Sequence, residues 1–491
     1  MIDPLAPALA RASSRLAPPP TPPRSVIIHG VVLVAWIALF AVAFGHGGVV
    51  AWSVGLAYIA YDTLLQAFVG WHSWRLLRRR DGVVDAGPRC SVAVVVAAHN
   101  EAAVLAATIA ALVAQSDAAD EIVIADDGSS DATAALLADR YALAPPPLGA
   151  SSAKSAVVPA LVWLRLPHGG KARALNAAIV HARADIVLTV DGDTLLDAGA
   201  IAAVRRAFSR EPALAGITGV ITPVCKPTLA GRCLEWFQTY EYIRNFLSRY
   251  AWMQLDSLLL VSGAFAGFRR AALIEVGGFD PASLVEDYEL IHRMRRHAQG
   301  RGVEWRFRVL GDAQARTEAP GSVGAFLRQR RRWFGGFLQT QYWYRAMVGD
   351  HRLGWLGTLM LPVKAIDTLQ PLYGLTAFAL LVVYAATGRL DIVAPVALFI
   401  GAKLAIDLAF HVWSVHLYRR WVGDAGRASF VAALLAAIAE PFTFQLLRHT
   451  GALLGWVSVL SGEKRWGRQT RFGLDAPAPD ARSGEGGDGT S

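Results

Sequence analysis

The sequence predicts an α/β domain set between two groups of membrane-spanning helices. Three observations carry that reading. Of the 491 residues, 54% are hydrophobic and only 18% charged, a balance that calls for membrane spans before anything else. Two long apolar runs near the start and further ones after residue 354 bracket a region of different character. Within that region, residues 90–345, short apolar runs alternate with amphipathic stretches, the signature of a mostly parallel sheet with helices packed on it.

Taken in order, residues 1–24 are rich in Ala and Pro and end APPPTPPR, which predicts a disordered cytoplasmic tail. The run SVIIHGVVLVAWIALFAVAF (25–44) is uncharged, and a bilayer takes ~20 helical residues to cross. A second run, 49–71, follows at once, so 25–71 is a two-helix hairpin. No basic segment opens the first run, which argues against a cleaved leader, although AVA at 41–43 resembles a cleavage site. The second run ends WRLLRRR (74–80), and basic flanks stay in the cytoplasm, so the domain that follows is cytoplasmic.

Strands are predicted at SVAVVVAA (91–98), EIVIAD (121–126), LVWLRL (161–166) and ADIVLTVD (184–191). Helices are predicted at 101–114, 130–139, 170–182 and 197–208, and 142–156 reads as a surface loop. Sheets of this kind bind ligands at the carboxyl ends of their strands. Beyond 354, two clear spans lie near 366–387 and 392–416. The region 429–460, interrupted by Glu440-Pro441 and Arg448-His449, predicts a broken or re-entrant element that closes the 354–460 membrane region. Residues 461–491 form a basic, then disordered, tail.

The net charge of +9 fits cytoplasmic-loop arginine in a membrane protein. The basic cluster RQRRRWFGGF (328–337) lies close to the membrane and belongs to no nucleic-acid recognition module, so no nucleic-acid partner is expected. Three scattered cysteines exclude a disulfide framework and a cysteine zinc site.

Each strand end carries polar residues that a buried sheet tolerates only if they are satisfied. The second strand ends in DDGSSD (126–131), which on its own suits a helix start. The fourth ends in TVDGDT (189–194), where two carboxylates about a glycine suit Mg²⁺ or Mn²⁺ completed by substrate phosphates. GGKARALNAA (169–178) opens a helix with a glycine pair and a lysine, without Walker spacing. Glu286-Asp287 opens an amphipathic helix in LVEDYELIHRM.

Singly these signals are weak; as an ordered set they are specific. DDGS, GKA-x-ALN, DGD, ED and Q-x-x-R-W in this order resemble the membrane-embedded, processive family 2 glycosyltransferases, the group of cellulose, chitin, hyaluronan and poly-N-acetylglucosamine synthases. The resemblance covers 90–345 closely and the flanking spans in layout. It departs in lacking a proline before His99-Asn100-Glu101 and the gating-loop sequence of cellulose synthases.

The resemblance implies a GT-A fold, a nucleotide-sugar donor with Mg²⁺ or Mn²⁺, and inversion at the anomeric carbon. Matched by position, Asp126, Asp127, Lys171 and Asp191 would bind the donor, and Asp191 and Asp193 the metal. Asp287 would be the general base, while Gln329, Arg332 and Trp333 would serve the acceptor and diphosphate. Arg330 and Arg331 carry less of that implication and would face phosphates or the membrane surface. A UDP-sugar is expected, UDP-N-acetylglucosamine ahead of UDP-glucose. The other partners are a growing glycan or lipid acceptor, the lipid bilayer and an accessory or export subunit. The location implied is the inner (plasma) membrane, multi-pass, with a cytoplasmic catalytic domain. The competing expectations are a transferase that adds one sugar to a lipid or short acceptor, and a catalytically silent nucleotide-binding subunit.

Overall fold

A computed structural model describes residues 4–78, 87–423 and 428–462. The chain begins with a short helix α1 (Ala6–Ala12), then α2 (Pro23–Gly45) and α3 (Ser53–Ser73). The central domain runs β1 (Val92–Ala98), α4 (Leu105–Val113), β2 (Glu121–Asp127), α5 (Thr133–Tyr141), β3 (Leu161–Leu166), α6 (Lys171–His181) and β4 (Ile186–Asp191). It continues through β5 (Thr194–Leu196), α7 (Ala200–Arg210), β6 (Leu214–Val224), α8 (Leu229–Gln254), β7 (Phe265–Arg269) and α9 (Arg270–Val276). Then come α10 (Glu286–Arg301), β8 (Arg306–Glu318) and α11 (Val323–Trp343). The C-terminal region holds α12 (Leu361–Ala386), α13 (Leu390–Val422), α14 (Phe430–Ala439) and α15 (Phe444–Leu460).

The eight strands form one sheet in the order β3-β2-β1-β4-β7-β6-β8-β5. The first half, β3 to β4, is parallel and built of buried Val, Ile and Leu, as a strand covered on both faces requires. The second half keeps the sheet mostly parallel, as expected, through the long parallel pairing of β6 with β8, and adds antiparallel strands to it. β7 runs antiparallel to both β4 and β6, and β5 antiparallel to β8. A mixed sheet puts the ends of β4 and β7 beside each other: the main-chain N–H of Asp191 donates to the Ala264 carbonyl at 3.3 Å. The DGD corner and the SGAF corner therefore meet.

The segment expected to loop freely at 142–156 covers the edge strand β3. Gly149 N–H donates to the Arg165 carbonyl (2.7 Å) and Ser152 N–H to the Trp163 carbonyl (2.8 Å), so the edge is paired.

Residues 1–24 are not a disordered tail over their described part, and that expectation is corrected. Leu5, Leu9 and Ala12 are buried, Arg15 makes two 2.8 Å hydrogen bonds to the Asp280 carboxylate, and Arg296 donates to the Ala12 carbonyl. The arm docks where Gly277 and Gly278 leave room. A Cβ at Gly277 would come within 2.1 Å of the Leu9 nitrogen. Three buried apolar side chains and one salt bridge offset the entropy lost in ordering the arm.

Among the described residues, four helices are long and apolar enough to cross a membrane: Pro23–Gly45, Gly48–Arg78, Leu356–Ala386 and Leu390–Val422. Phe430–Phe442 and Phe444–Leu460 form a fifth apolar element bent by 50° at its break. Proline at position 441 ends the first half, and Glu440 is held there by Arg244 of α8 at 2.6 and 2.7 Å. The predicted basic and disordered tail lies outside the described residues from 463 onward.

Candidate active site

The carboxyl ends of β2 and β4, the turn that leads from α8 into β7 and the start of α10 converge on one site. Asp126 and Asp127 end β2 and are 3% and 4% exposed. Asp126 accepts from the Ser129 main chain (2.9 Å) and from Trp163 Nε1 (3.2 Å). Asp127 accepts from the main-chain N–H groups of Gly169 (2.7 Å) and Gly170 (2.9 Å). Both acids thus fasten loops, and Asp127 fixes the one that delivers Lys171. Gly128 has φ +67, and a Cβ there would meet the His168 nitrogen at 2.7 Å, so the turn needs glycine.

His99 and His168 stack above this turn with centroids 4.3 Å apart. Together with Asp127 they are the one group of three potential metal ligands among the described residues, their ligand atoms lying within 4.8 Å. The motif set gave no weight to either histidine.

Lys171 Nζ lies 2.6 Å from Asp191 and 3.4 Å from Glu286. The two DGD carboxylates have different surroundings. Asp191 is partly exposed beside Lys171, whereas Asp193 is buried, with the Thr317 hydroxyl of β8 3.5 Å from its Oδ1.

Asp287 is positioned by two main-chain donors, Gly263 N–H at 2.6 Å and Tyr288 N–H at 2.8 Å. Gly263 is needed for that approach, because a Cβ would lie 2.9 Å from Asp287 Oδ2 and 3.5 Å from Lys171 Nζ. Burial, then the Glu286 charge, pushes the Asp287 carboxyl up to about 6. Burial acts on Glu286 as well, but Lys171 and then Arg332 hold it below the usual carboxylate range. Two adjacent acids are thereby separated in strength, the pattern of a base beside a permanent anion. Lys171 is half-buried, and the partial desolvation weakens its charge, yet Asp191 and Glu286 hold it above the ordinary lysine range.

On α11 the side chains of RQRRRW diverge. Arg330 is buried and bidentate to Glu241 of α8 (2.9 and 2.5 Å), with its guanidinium 4.6 Å from the Phe326 and Trp333 ring centroids. It faces neither phosphate nor membrane surface: an apolar setting leaves the Glu241 charge as its natural partner. Arg331 donates to the Ser458 hydroxyl of α15. Arg332 donates to the Leu284 carbonyl at 3.4 Å, close to the Glu286 charge. Gln329 is half-buried and its Oε1 is sealed from solvent without a partner.

Trp333 lines a cavity of about 510 Å³ that extends between α3, α8, α12, α13 and α15. Its wall also takes in Arg249, Trp252, Leu260 and Tyr288. Leu260 leads into the Gly263 corner and Tyr288 follows Asp287, so the cavity adjoins the α10 end of the site. Arg249 belongs to no motif and was not foreseen.

The same stretch of chain matches known proteins. Residues 93–277 match the family model described as glycosyl transferase family 2, and residues 186–392 that of glycosyl transferase family group 2. The chain carries family 2 glycosyl transferase domains. Its α/β fold class, with apolar helices flanking the sheet domain, is the one expected from the sequence.

Among curated relatives, this glycosyltransferase is 27% identical over 248 residues to the poly-beta-1,6-N-acetyl-D-glucosamine synthase of Staphylococcus aureus (strain COL). It is 27% identical over 247 residues to the protein of that name from Staphylococcus epidermidis (strain ATCC 35984). Each match covers 50% of this chain and 54% of the relative, so the similarity spans about half the length of those proteins. A solved mannosyltransferase, PcManGT from Pyrobaculum calidifontis in complex with GDP-Man and Mn²⁺, shares 21% identity at a TM-score of 0.49, covering 85% of this chain and 99% of its own.

Proposed function

We propose that this family 2 glycosyltransferase is an inverting, metal-dependent membrane enzyme that elongates a β-linked polysaccharide from a nucleotide sugar. UDP-N-acetylglucosamine is the first donor to test, in keeping with the names of the curated relatives. The observation that carries the reading is Asp287, a half-buried carboxylate held by two main-chain donors between the Lys171–Asp191 pair and the cavity.

A sugar hydroxyl is a poor nucleophile, and Asp287, pushed up to about 6, is matched to accept its proton near neutral pH. Lys171 and Arg332 oppose the negative charge that develops on the leaving nucleoside diphosphate. Three carboxylates, Asp191, Glu286 and Asp287, gather around the Lys171 ammonium, a surplus of negative charge that fits a hard divalent cation. Asp191 and Asp193 would hold it, and it would supply charge neutralisation at the diphosphate. The Asp126 and Asp127 turn, with His99 and His168, would form the nucleoside end of the donor pocket. Trp333 would stack on the acceptor sugar, Gln329 would stand beside it, and the cavity beyond, lined by Trp252 and Tyr288, would receive the product. The spans would place the catalytic domain on the cytoplasmic side of the plasma membrane.

The test is an assay of membranes carrying the full chain, with Mg²⁺ or Mn²⁺ and a panel of labelled nucleotide sugars, beside Asp287→Asn. The reading expects transfer from one donor, abolished in the variant while donor binding survives. Loss of donor binding together with transfer would overturn the role assigned to Asp287.

A further inference from the structure

Most charged side chains that line the cavity are paired. Arg330 is held by Glu241, Arg244 by Glu440, Lys364 by Asp367, and Lys403 by Asp62 and Asp407. Arg448 also reaches Glu241, at 3.6 Å. Arg249 of α8 differs. Among the described residues, its Nε and Nη1 are sealed from solvent with no hydrogen-bond partner, and its guanidinium lies 4.6 Å from the Phe246 ring centroid. Donors sealed away like this cost free energy unless something brought from outside completes them.

The surroundings indicate what would do so. The cavity wall beside Arg249 carries Trp252, Tyr288 and Trp333, aromatic faces of the kind that sugar rings pack against. The donor-side residues Lys171 and Asp191 do not line it. Asp287 exerts the leading favourable charge on the guanidinium, which burial otherwise pushes down to about 10. Arg249 thus stands on the cavity side of the catalytic carboxylate, where an acceptor enters and a product leaves.

We propose that Arg249 is an acceptor-binding residue, donating Nε–H and Nη1–H to the hydroxyl and ring oxygens of the glycan lodged between Trp333 and the cavity. The guanidinium's planar fork presents two donors in fixed geometry, and an oxygen-rich neutral chain supplies acceptors without a competing charge. This rests on the reading of Asp287 as the base, since both residues address the same sugar.

The full chain in proteoliposomes, given UDP-N-acetylglucosamine and a short β-1,6-linked N-acetylglucosamine primer, provides the test. R249M should raise the half-saturating primer concentration by roughly 10- to 100-fold and shorten the product, the loss expected for hydrogen bonds to a charged group. Donor KM and donor cleavage by water should stay within about twofold, and R249K should recover part of the loss, since lysine keeps the charge without the fork. A rise in donor KM with unchanged primer saturation would assign Arg249 to the donor and overturn the proposal. Unchanged primer saturation and product length would overturn it as well. If the methionine variant fails to assemble, R249K decides by the same two readouts. Asp287→Asn in the same preparation keeps the two readings apart. Transfer that persists in it refutes the base assignment, whereas a dead Asp287→Asn beside a normal R249M refutes only the role of Arg249.

Discussion

Asp287 shows how a single residue is tuned by its immediate neighbours. Burial and the Glu286 charge favour its protonated form, while Gly263 N–H, Tyr288 N–H and Lys171 hold the ionised one in place. In the proposed role the base acts as a carboxylate, so kcat/KM should fall on an acid limb centred near pH 6, measured with donor and acceptor well below saturation. The linked effect on stability has the opposite sense. A carboxyl raised in the folded state binds its proton more tightly there than in the unfolded chain. Its contribution is therefore present below the unfolded value of ~4 and lost as pH rises through about 6. Asp287→Asn should then be more stable than wild type by roughly 2–3 kcal/mol at pH 7.5, the difference vanishing near pH 4, as thermal unfolding in detergent would read. Gly263→Ala tests the geometry: its methyl would enter the space of Asp287 Oδ2, and a misplacement of ~1 Å costs on the order of 10²-fold in kcat. An alanine variant with normal kcat would show that the contact is not needed.

At the scale of elements, the parallel half of the sheet was legible because its strands are unbroken apolar runs bounded by Gly and Asp. The other half was not. β8, RFRVLGDAQARTE, alternates buried and half-buried residues, and its outward arginines and glutamine hide the strand in a polar-looking stretch. The motif residues were legible as types in order, and the sequence placed Asp127, Lys171, Asp191 and Asp287 at strand or helix ends. Nothing in it distinguished Asp191, beside Lys171, from Asp193, turned to β8, because that depends on a strand pairing made 120 residues later. Arg330 shows the same limit: its partner Glu241 sits on a distant helix.

The N-terminal arm was misread because seven residues, APALARA, carry too little pattern, and their docking depends on Gly277 and Gly278. Its Arg15 neutralises Asp280, which is fully buried and in turn accepts Ala282 N–H ahead of Asp287. Breaking a buried pair from one side typically costs ~3–5 kcal/mol, so Arg15→Met should lower stability by an amount near the lower bound, since Arg15 is partly exposed. The double variant Arg15→Met with Asp280→Asn should regain most of it, because the lone charge is gone. Additive losses in that cycle would remove the pair from the account.

For the whole molecule, the catalytic domain and the membrane helices share one structure rather than a linker. Helix α11 packs along α15, Arg331 bonds Ser458, and Arg244 of α8 clamps Glu440 at the break between α14 and α15. The bent element was foreseen from its interruptions, Glu440-Pro441 and Arg448-His449, but its function as a bracket for α8 and α11 was not, since the partners lie 127 and 196 residues away. These ties place the cavity directly beside α11, and under the proposed function this is the arrangement that an enzyme extending one chain through many cycles would use.

The most direct test of that claim is the length of the product made by the purified full chain in proteoliposomes with Mg²⁺ or Mn²⁺, one nucleotide sugar at a time. The account predicts a long polymer from a single donor, absent in Asp287→Asn. A product of one sugar on a lipid or short acceptor, extractable into organic solvent, would contradict it.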